Sequence, residues 1–261
     1  MMKIDWLKGS ILLAALLLLF SACGTAAPSG TTAAPLDPQL RSYSASVRVQ
    51  VGQPTSVSAS CKSGEQMIGG GFAASDVFEY AAYIEASYPS SASTWTVTGA
   101  APASYFVLAA EVYCLSAPVS LGIQIIQRAG GHVACPNGTR LLSGGFRGSQ
   151  PVVSSYPQEN GWSSASSDQV YALCAGQHVT AGPVVTSVFH IHSSETSYQP
   201  GGGGADCPAE QFAAGGGFAG QGVLILSSAL SGPRFASWSV VAGGDADVTV
   251  YALCAALGEG S

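Results

Sequence analysis

The stretch Cys61-Lys-Ser-Gly-Glu-Gln-Met-Ile-Gly-Gly-Gly-Phe72 recurs as Cys135-Pro-Asn-Gly-Thr-Arg-Leu-Leu-Ser-Gly-Gly-Phe146 and as Cys207-Pro-Ala-Glu-Gln-Phe-Ala-Ala-Gly-Gly-Gly-Phe218. The cysteine and the phenylalanine are eleven positions apart in every copy. A fixed spacing in an otherwise divergent sequence indicates one structural unit built three times. The rest of the chain is best interpreted around these three copies.

Short runs of alternating apolar and polar residues surround the first copy. Val47, Val49 and Val51 share one face of a predicted strand. Further strands are predicted at 55–60, 67–74, 83–88, 94–98 and 105–115, with turn residues between them. No stretch after residue 22 has a 3.6-residue period. The pattern therefore predicts an all-β fold of short antiparallel strands.

Matching ends define three repeats. Val170-Tyr-Ala-Leu-Cys-Ala175 recurs as Val250-Tyr-Ala-Leu-Cys-Ala255. We place the repeats at about 43–115, 119–175 and 183–255. Units of this size cannot bury a hydrophobic face alone, so they are expected to stack around a pseudo-three-fold axis.

That stacking would bring Phe72, Phe146 and Phe218 into one core, with glycines permitting close backbone approach. The opening cysteine, the Gly-Gly-Phe strand and the tyrosine-rich closing strand resemble the β-prism of the vitelline membrane outer layer protein I family. The resemblance covers residues 43–255 and implies a β-prism-like domain. A shared fold implies no function by itself.

The cysteines divide into one plus six. Cys23 stands alone near the N-terminus, and the other six fall two per repeat. Six cysteines allow 15 pairings, but one set respects the triplication and gives one disulfide per repeat: Cys61 with Cys114, Cys135 with Cys174, and Cys207 with Cys254. A zinc site is the competing interpretation, yet the sequence has no C-x-x-C motif.

The N-terminus has the layout of an export signal. Lys3 and Lys8 precede the apolar run 11–20, which is too short for a membrane-spanning helix. The end of this segment resembles the lipobox of bacterial lipoproteins in Ser21-Ala22-Cys23, although Phe20 departs from the usual leucine. The resemblance implies a signal peptide at 1–22 and acylation of Cys23, with palmitate as a typical chain. An ordinary secretory signal is the alternative.

The segment after Cys23 is rich in proline, alanine, threonine and glycine, and nothing in it can form a core. Residues 23–42 are therefore expected to be a lipidated, flexible tether to a bacterial membrane or cell surface. Residues 256–261 are expected to be a C-terminal tail.

The charge content limits the partners. Charged residues make up 9% of the chain, the net charge is −6 and the pI is about 5.0, without a basic cluster. Nucleic-acid binding needs a basic surface, so nucleic acids are not expected partners.

His190 and His192 are the one paired-histidine feature. Alternation along a strand would put both on the same face, close enough to share a metal ion. Two ligands do not make a site, and no pattern fixes the approach of Glu195, Asp206 or His178 as a third. Exposed strand histidines are the preferred interpretation, and no metal or other cofactor is predicted.

Catalytic motifs do not emerge from the sequence. The run 215–220 satisfies G-x-G-x-x-G, but it lies in a strand-rich repeat rather than before a helix, which favours structural glycines. G-x-S-x-G, S-x-x-K and H-E-x-x-H do not occur. Glu79 with Glu85, or Asp245 with Asp247, could form a carboxylate pair, but solvated charges explain them equally well. The expectation is that the protein is not an enzyme.

Each repeat holds one tryptophan before its closing cysteine, at Trp95, Trp162 and Trp238. Three ligand-facing aromatics could stack on sugars. Burial in the core of each repeat is the favoured alternative, because aromatic burial dominates core energetics.

These observations favour a non-catalytic, membrane-anchored cell-envelope lipoprotein with a structural or surface-interaction role. Its expected partners are the membrane, through the lipid, and glycans or envelope proteins. A glycan-binding, lectin-like module is the first alternative, and an enzyme of unknown type is the second. Because the distance between phenylalanine and tryptophan varies among the repeats, segments 73–94, 147–161 and 219–237 are predicted to be loops that display any ligand contacts.

Overall fold

The computed structural model describes residues 39–77, 82–117, 120–176, 178–191 and 200–257. The predicted signal peptide, Cys23 and the linker as far as residue 38 lie outside these ranges, as do residues 258–261. Residues 39–42, assigned above to the tether, instead open the first strand. Leu40 pairs with Leu115 and packs on the core, which outweighs the polar composition around it.

The described residues form eighteen strands and one 3-10 turn at Pro233–Phe235, and they contain no α-helix. The all-β prediction is confirmed. Six strands come from the first repeat: β1 (Gln39–Val49), β2 (Thr55–Ser60), β3 (Gln66–Ser75), β4 (Tyr83–Ser91), β5 (Thr94–Ala100) and β6 (Phe106–Ser116). Six come from the second: β7 (Gln124–Ala129), β8 (His132–Ala134), β9 (Arg140–Arg147), β10 (Ser154–Gln158), β11 (Gly161–Ala165) and β12 (Gln169–Ala175). The third gives β13 (Val179–Ile191), β14 (Gly201–Asp206), β15 (Phe212–Gly220), β16 (Val223–Ser231), β17 (Ser237–Gly244) and β18 (Ala246–Leu257).

These strands build three six-stranded sheets, and each sheet combines strands of two repeats. Sheet I has the order β1-β6-β3-β16-β17-β14, sheet II β2-β5-β4-β9-β12-β7, and sheet III β13-β18-β15-β10-β11-β8. In every sheet, the first, sixth and third strands of one repeat stand beside the fourth, fifth and second strands of another. This cyclic exchange fits the predicted three-fold arrangement.

Each sheet has one junction where strands of two repeats meet antiparallel over only two residue pairs. One pair at each junction joins a serine to the phenylalanine of the motif: Ser87–Phe146, Ser155–Phe218 and Ser228–Phe72. The glycine before each phenylalanine, at positions 71, 145 and 217, lies against the carbonyl oxygen of that serine, where a Cβ would overlap it. The last glycine of the motif is therefore required by the close approach of two repeats.

The predicted disulfides are all present. Their Cα atoms are 5.6 to 5.8 Å apart, within the usual range for this bond. The bonds are Cys61–Cys114, Cys135–Cys174 and Cys207–Cys254. Each one closes a loop within its own repeat.

The three phenylalanines of the motif meet in the core, as predicted. The ring centroids of Phe72, Phe146 and Phe218 are 6.2 to 6.4 Å apart, and each pair is edge-to-face at 87 to 90°. Each ring presents an edge to the face of a neighbour, which is the favoured geometry for the ring quadrupoles.

Segments 73–94, 147–161 and 219–237 are not loops throughout, whereas their role in ligand contact stays a prediction. Each segment contains a strand that crosses into another repeat's sheet: β4, β10 or β16. Ser87, Ser155 and Ser228 on these strands are buried at 3 to 4% exposure. The sequence predicts the strand at 83–88 but not its place in the sheet, and the varied spacing conceals its counterparts β10 and β16, whose backbones also complete the sheets.

Candidate functional site

The three tryptophans belong to the interior. Trp95, Trp162 and Trp238 are each 1% exposed. Each indole Nε1 donates a hydrogen bond to a buried serine of the same repeat: Ser87 at 2.9 Å, Ser155 at 2.8 Å and Ser228 at 2.9 Å. The idea of ligand-facing tryptophans is therefore wrong, because both the ring and its polar atom are used inside the protein.

A glycine of the same repeat makes room for each tryptophan. Gly70, Gly144 and Gly216 lie against the indole rings, and a Cβ at any of them would overlap ring atoms. The middle glycine of each motif thus leaves room for the indole ring, while the last one lets the strands of two repeats approach each other. These positions explain the glycine run 215–220, which lies within β15 rather than before a helix.

Two of the three junctions carry a stacked tyrosine pair. Tyr88 stacks on Tyr171 in sheet II, and Tyr156 stacks on Tyr251 in sheet III, each at a centroid distance of 4.9 Å. Each pair joins one repeat to the next, and each lies beside a junction glycine. Burial, and then the neighbouring tyrosine, raises the pKa of Tyr171 and of Tyr251. These rings stabilise the junctions, and Tyr171 is only 4% exposed.

The third junction, in sheet I, is built differently. Position 229 is alanine where the other junctions have Tyr88 and Tyr156, and Leu230 stands where they have proline. Leucine keeps a backbone N–H, and this N–H donates a hydrogen bond of 2.9 Å to the hydroxyl oxygen of Tyr113. Tyr113 is 1% exposed and donates in turn to Glu111 at 2.9 Å. Burial, followed by the Glu111 carboxylate, raises the pKa of Tyr113 well above its usual value.

A second asymmetry lies where the motif strands of the three repeats converge. Gly69, Ser143 and Gly215 occupy the same motif position, and Ser143 fills the space at both glycines. A Cβ at Gly69 would lie 3.0 Å from Ser143 Oγ, and one at Gly215 would lie 2.7 Å from it. Ser143 Oγ is buried and has no hydrogen-bond partner among the described residues. The space where the three motif strands converge has room for one side chain, and Ser143 provides it while the other two repeats have glycine.

One surface cluster brings together residues that the sequence analysis considered separately. His190 of β13 pairs in register with Asp247 of β18, and Asp245 is the single residue between β17 and β18. Nδ1 of His190 is 2.7 Å from Asp247 Oδ1, and Nε2 is 3.4 Å from Asp245 Oδ1. Their side chains are exposed by 45%, 72% and 61% for His190, Asp247 and Asp245. We call these three residues the His190 cluster.

No described contact places another of the sequence candidates in this cluster. His192 and Glu195 lie outside the described residues. Asp206 accepts a hydrogen bond from Ser237, and no described contact links His178 to His190. The sequence missed Asp245 and Asp247 as partners because the pairing of β13 with β18 spans 57 positions. No local signal places them opposite His190, because the register of β13 on β18 includes a bulge and is set by the whole sheet.

The remaining acidic candidates form no described pair. Glu79 lies outside the described residues. Burial raises the pKa of its proposed partner, Glu85. Glu65 approaches Cys61 and Cys114, but both sulfurs are in a disulfide and cannot act as thiolate ligands. Glu65 instead accepts a hydrogen bond of 2.8 Å from Tyr43 and one of 3.0 Å from the Lys62 amide.

The His190 cluster is specific to the third repeat. At the corresponding place in the first repeat, Arg48 and Tyr105 stand where the third has His190 and Asp245. The Arg48 guanidinium carbon lies 4.1 Å from the centre of the Tyr105 ring. A cation over an aromatic face is stable on its own. Equivalent positions of the first and third repeats therefore carry side chains that interact in different ways.

None of the described residues belongs to a helix with the length and hydropathy needed to cross a bilayer. No protein-family model matches the chain, and a search of curated proteins also gives no match.

Proposed function

We propose that the protein is a non-catalytic cell-envelope lipoprotein, exported and anchored through lipid on Cys23, with a structural or surface-interaction role. The observation that carries the proposal is that all six cysteines of the described residues form disulfides within their own repeats. Such bonds persist in oxidising compartments and are rare where thiols are kept reduced. The chain therefore requires an export route.

The N-terminal sequence offers that route and an anchor. With six cysteines paired, Cys23 is the one remaining cysteine, and it ends the signal-like segment after Ser21-Ala22. A thiol in that position is what lipid attachment uses in the lipoproteins that this segment resembles. A diacylated residue supplies most of the anchoring free energy, because each buried CH₂ contributes about 0.8 kcal/mol.

The fold supports a scaffold role for the part beyond the tether. The motif phenylalanines and the three tryptophans are buried, stacked tyrosines lie at two junctions between repeats, and each repeat carries one disulfide. The sheet order also supports the resemblance to a β-prism. A domain of this kind presents sheet surfaces and sheet corners to partners.

Metabolic labelling with palmitate tests the proposal. Cells expressing the full chain should label it, and Cys23→Ala should abolish the label because the acyl acceptor is gone. Ser21→Ala is the matched control: it keeps a small residue two positions before Cys23 and should label normally. Peptide mapping without reduction should find the same three disulfides in all forms. Label retained by Cys23→Ala would contradict the proposal.

A further inference from the structure

We propose that Asn137 is a site of covalent modification, at which the side chain loses its amide through attack by the backbone nitrogen of Gly138. The product carries a carboxylate, as aspartate or isoaspartate, in place of the amide. The fold protects the other asparagine, Asn160, from the same reaction. This site goes beyond the proposed anchor and scaffold role and does not depend on it.

The first argument is the sequence around the two asparagines. Asn137 and Asn160 are the two asparagines of the chain, and Gly138 and Gly161 follow them. Asparagine is a thermolabile residue, and a following glycine has no Cβ to obstruct the approach of its own nitrogen to the asparagine side chain. Both sites therefore carry the same reactive dipeptide, and their surroundings decide which one reacts.

Asn137 lies in an exposed turn between β8 and β9. The Thr139 N–H closes this turn by donating to the Pro136 carbonyl oxygen at 3.1 Å. Gly138 has a φ of 82°, which type II turns need at their third residue and which glycine adopts without strain. No described hydrogen bond involves the Asn137 side chain or the Gly138 N–H, and the space around Gly138 is open. Both reacting groups are therefore exposed to water and able to approach each other.

Asn160 is held at both ends of its amide. Its Oδ1 accepts a hydrogen bond of 3.0 Å from the Leu141 N–H, and its Nδ2 donates one of 3.0 Å to the Thr139 carbonyl oxygen. The attacking nitrogen is fixed as well, because Gly161 pairs with Gln158 in the hairpin of β10 and β11. The reacting atoms of Asn160 and Gly161 can meet only after these contacts open, and such local opening costs free energy.

The other repeats show that the turn does not require an asparagine. The turns that follow Cys61 and Cys207 are closed by an equivalent backbone hydrogen bond of 3.1 Å. Ser63 and Ala209 stand there in the position of Asn137. Asn137→Ser therefore copies a sequence that the fold already uses at this place.

The reaction balances with water as its one co-reactant. The Gly138 nitrogen bonds to the side-chain carbonyl carbon of Asn137, and the side-chain nitrogen leaves as ammonia with the proton of the Gly138 amide. Water then opens the cyclic succinimide. Opening at the side-chain carbonyl gives aspartate, and opening at the main-chain carbonyl gives isoaspartate, in which the backbone runs through the former side chain. Each product adds a negative charge to the exposed turn at neutral pH.

Incubation of the purified, disulfide-bonded full chain at pH 8.5 and 37 °C, followed by peptide mapping, tests the site. Peptides that contain position 137 should change from the mass of the amide to that of the acid, and isoaspartate methyltransferase should label them. We expect Asn160 to convert at least about 10-fold more slowly, because two hydrogen bonds and a strand pairing must open first. Asn137→Ser is the matched control: it should keep the wild-type Tm and give no isoaspartate in this peptide.

The unfolded chain separates protection by the fold from an intrinsic difference between the two dipeptides. In guanidinium chloride, with the disulfides reduced, Asn137 and Asn160 should convert at similar rates. The proposal is overturned if Asn137 keeps its amide in the folded protein over a period in which it converts in the unfolded chain. Equal rates at Asn137 and Asn160 in the folded protein, or a rate difference that persists on unfolding, would overturn it as well.

Discussion

The junctions of sheets III and I solve the same problem with different residues. In sheet III, Pro157 follows the buried Ser155 and the half-buried Tyr156 on β10, and Tyr156 stacks on Tyr251 of the next repeat. In sheet I, Leu230 stands in place of that proline, and its N–H is satisfied by Tyr113 from another strand. Proline removes the donor, whereas tyrosine supplies an acceptor.

The difference shows which features of the repeat the fold requires. Both junctions keep the serine that accepts a hydrogen bond from the tryptophan indole. Both also keep the glycine that lies against the backbone carbonyl oxygen of this serine. Beyond them, the strand separates from its neighbour after two residue pairs, and a backbone N–H at this half-buried position needs another partner. Any solution that leaves no orphaned donor is acceptable. The junction glycines are required because a Cβ would overlap the neighbouring backbone. The residues where the strand leaves the junction, Pro157 or Leu230, need only leave no backbone donor unsatisfied.

The largest expected effect comes from the feature that both junctions share. Gly217→Ala places a Cβ into the carbonyl oxygen of Ser155, a backbone atom that cannot move without separating the repeats. We expect a loss of about 3 kcal/mol or more in the free energy of unfolding, measured in urea. Gly176→Ala is the control, since its Cβ would meet its nearest atoms at 3.6 Å. Equal stability of the two variants would show that the junction is more plastic than the packing indicates.

The next effect distinguishes the two junctions. Tyr113→Phe removes the acceptor of the Leu230 N–H and should lower the free energy of unfolding by about 2 kcal/mol, the usual cost of a buried unsatisfied donor. Tyr171→Phe is the matched control. Its hydroxyl donates to the Gln169 side chain, so its loss should cost about 1 kcal/mol or less.

A second substitution in sheet I sharpens this comparison. Leu230→Pro added to Tyr113→Phe removes the orphaned donor and copies the solution used in sheets II and III. Part of the stability lost in Tyr113→Phe should return in the double variant. If the double variant is less stable than the sum of the two single changes, the exit position in sheet I is not equivalent to Pro157.

The smallest effect is expected where the three motif strands converge. Ser143→Ala keeps the Cβ that fills the space between Gly69 and Gly215 and removes a buried hydroxyl without a described partner. We expect the free energy of unfolding to stay the same or to rise by up to about 1 kcal/mol, because no hydrogen bond is lost. A clear loss of stability in thermal denaturation would mean that this hydroxyl is hydrogen-bonded.

Much of the fold could be predicted because its signals are local or countable. Alternation over a few residues gave strands such as β2 and β5, and the count of two cysteines per repeat gave the disulfides. The meeting of Phe72 with its two counterparts followed from symmetry. The exchange of strands between repeats was not predictable in this way. Repeats with similar sequences have the same pairing preferences. The sequence pattern therefore does not indicate which repeat's fourth strand pairs with which repeat's third strand.

The candidate site was predictable only in fragments. His190 is close to His192 in the sequence, and Asp245 is close to Asp247, so local patterns group them in these pairs. The meeting of His190 with the aspartates depends on the register of two strands far apart in the chain, in which His190 stands opposite Asp247. Registers of this kind are set by the whole sheet rather than by local composition. The same limit explains why the strand predicted at 83–88 could not be assigned to a sheet with β9 of the second repeat.

The cyclic sharing of strands also sets the order in which the chain can complete its fold during synthesis. β3 pairs with β6 of its own repeat on one side, but its neighbour on the other side is β16, about 150 positions later in the chain. A chain that has emerged only through its second repeat can complete sheet II, but it leaves β3 and β10 as open edges. Open edges are templates for pairing with the wrong chain, and such distant contacts form slowly. A nascent or truncated copy is therefore the form of this protein most prone to exchange strands with a neighbour.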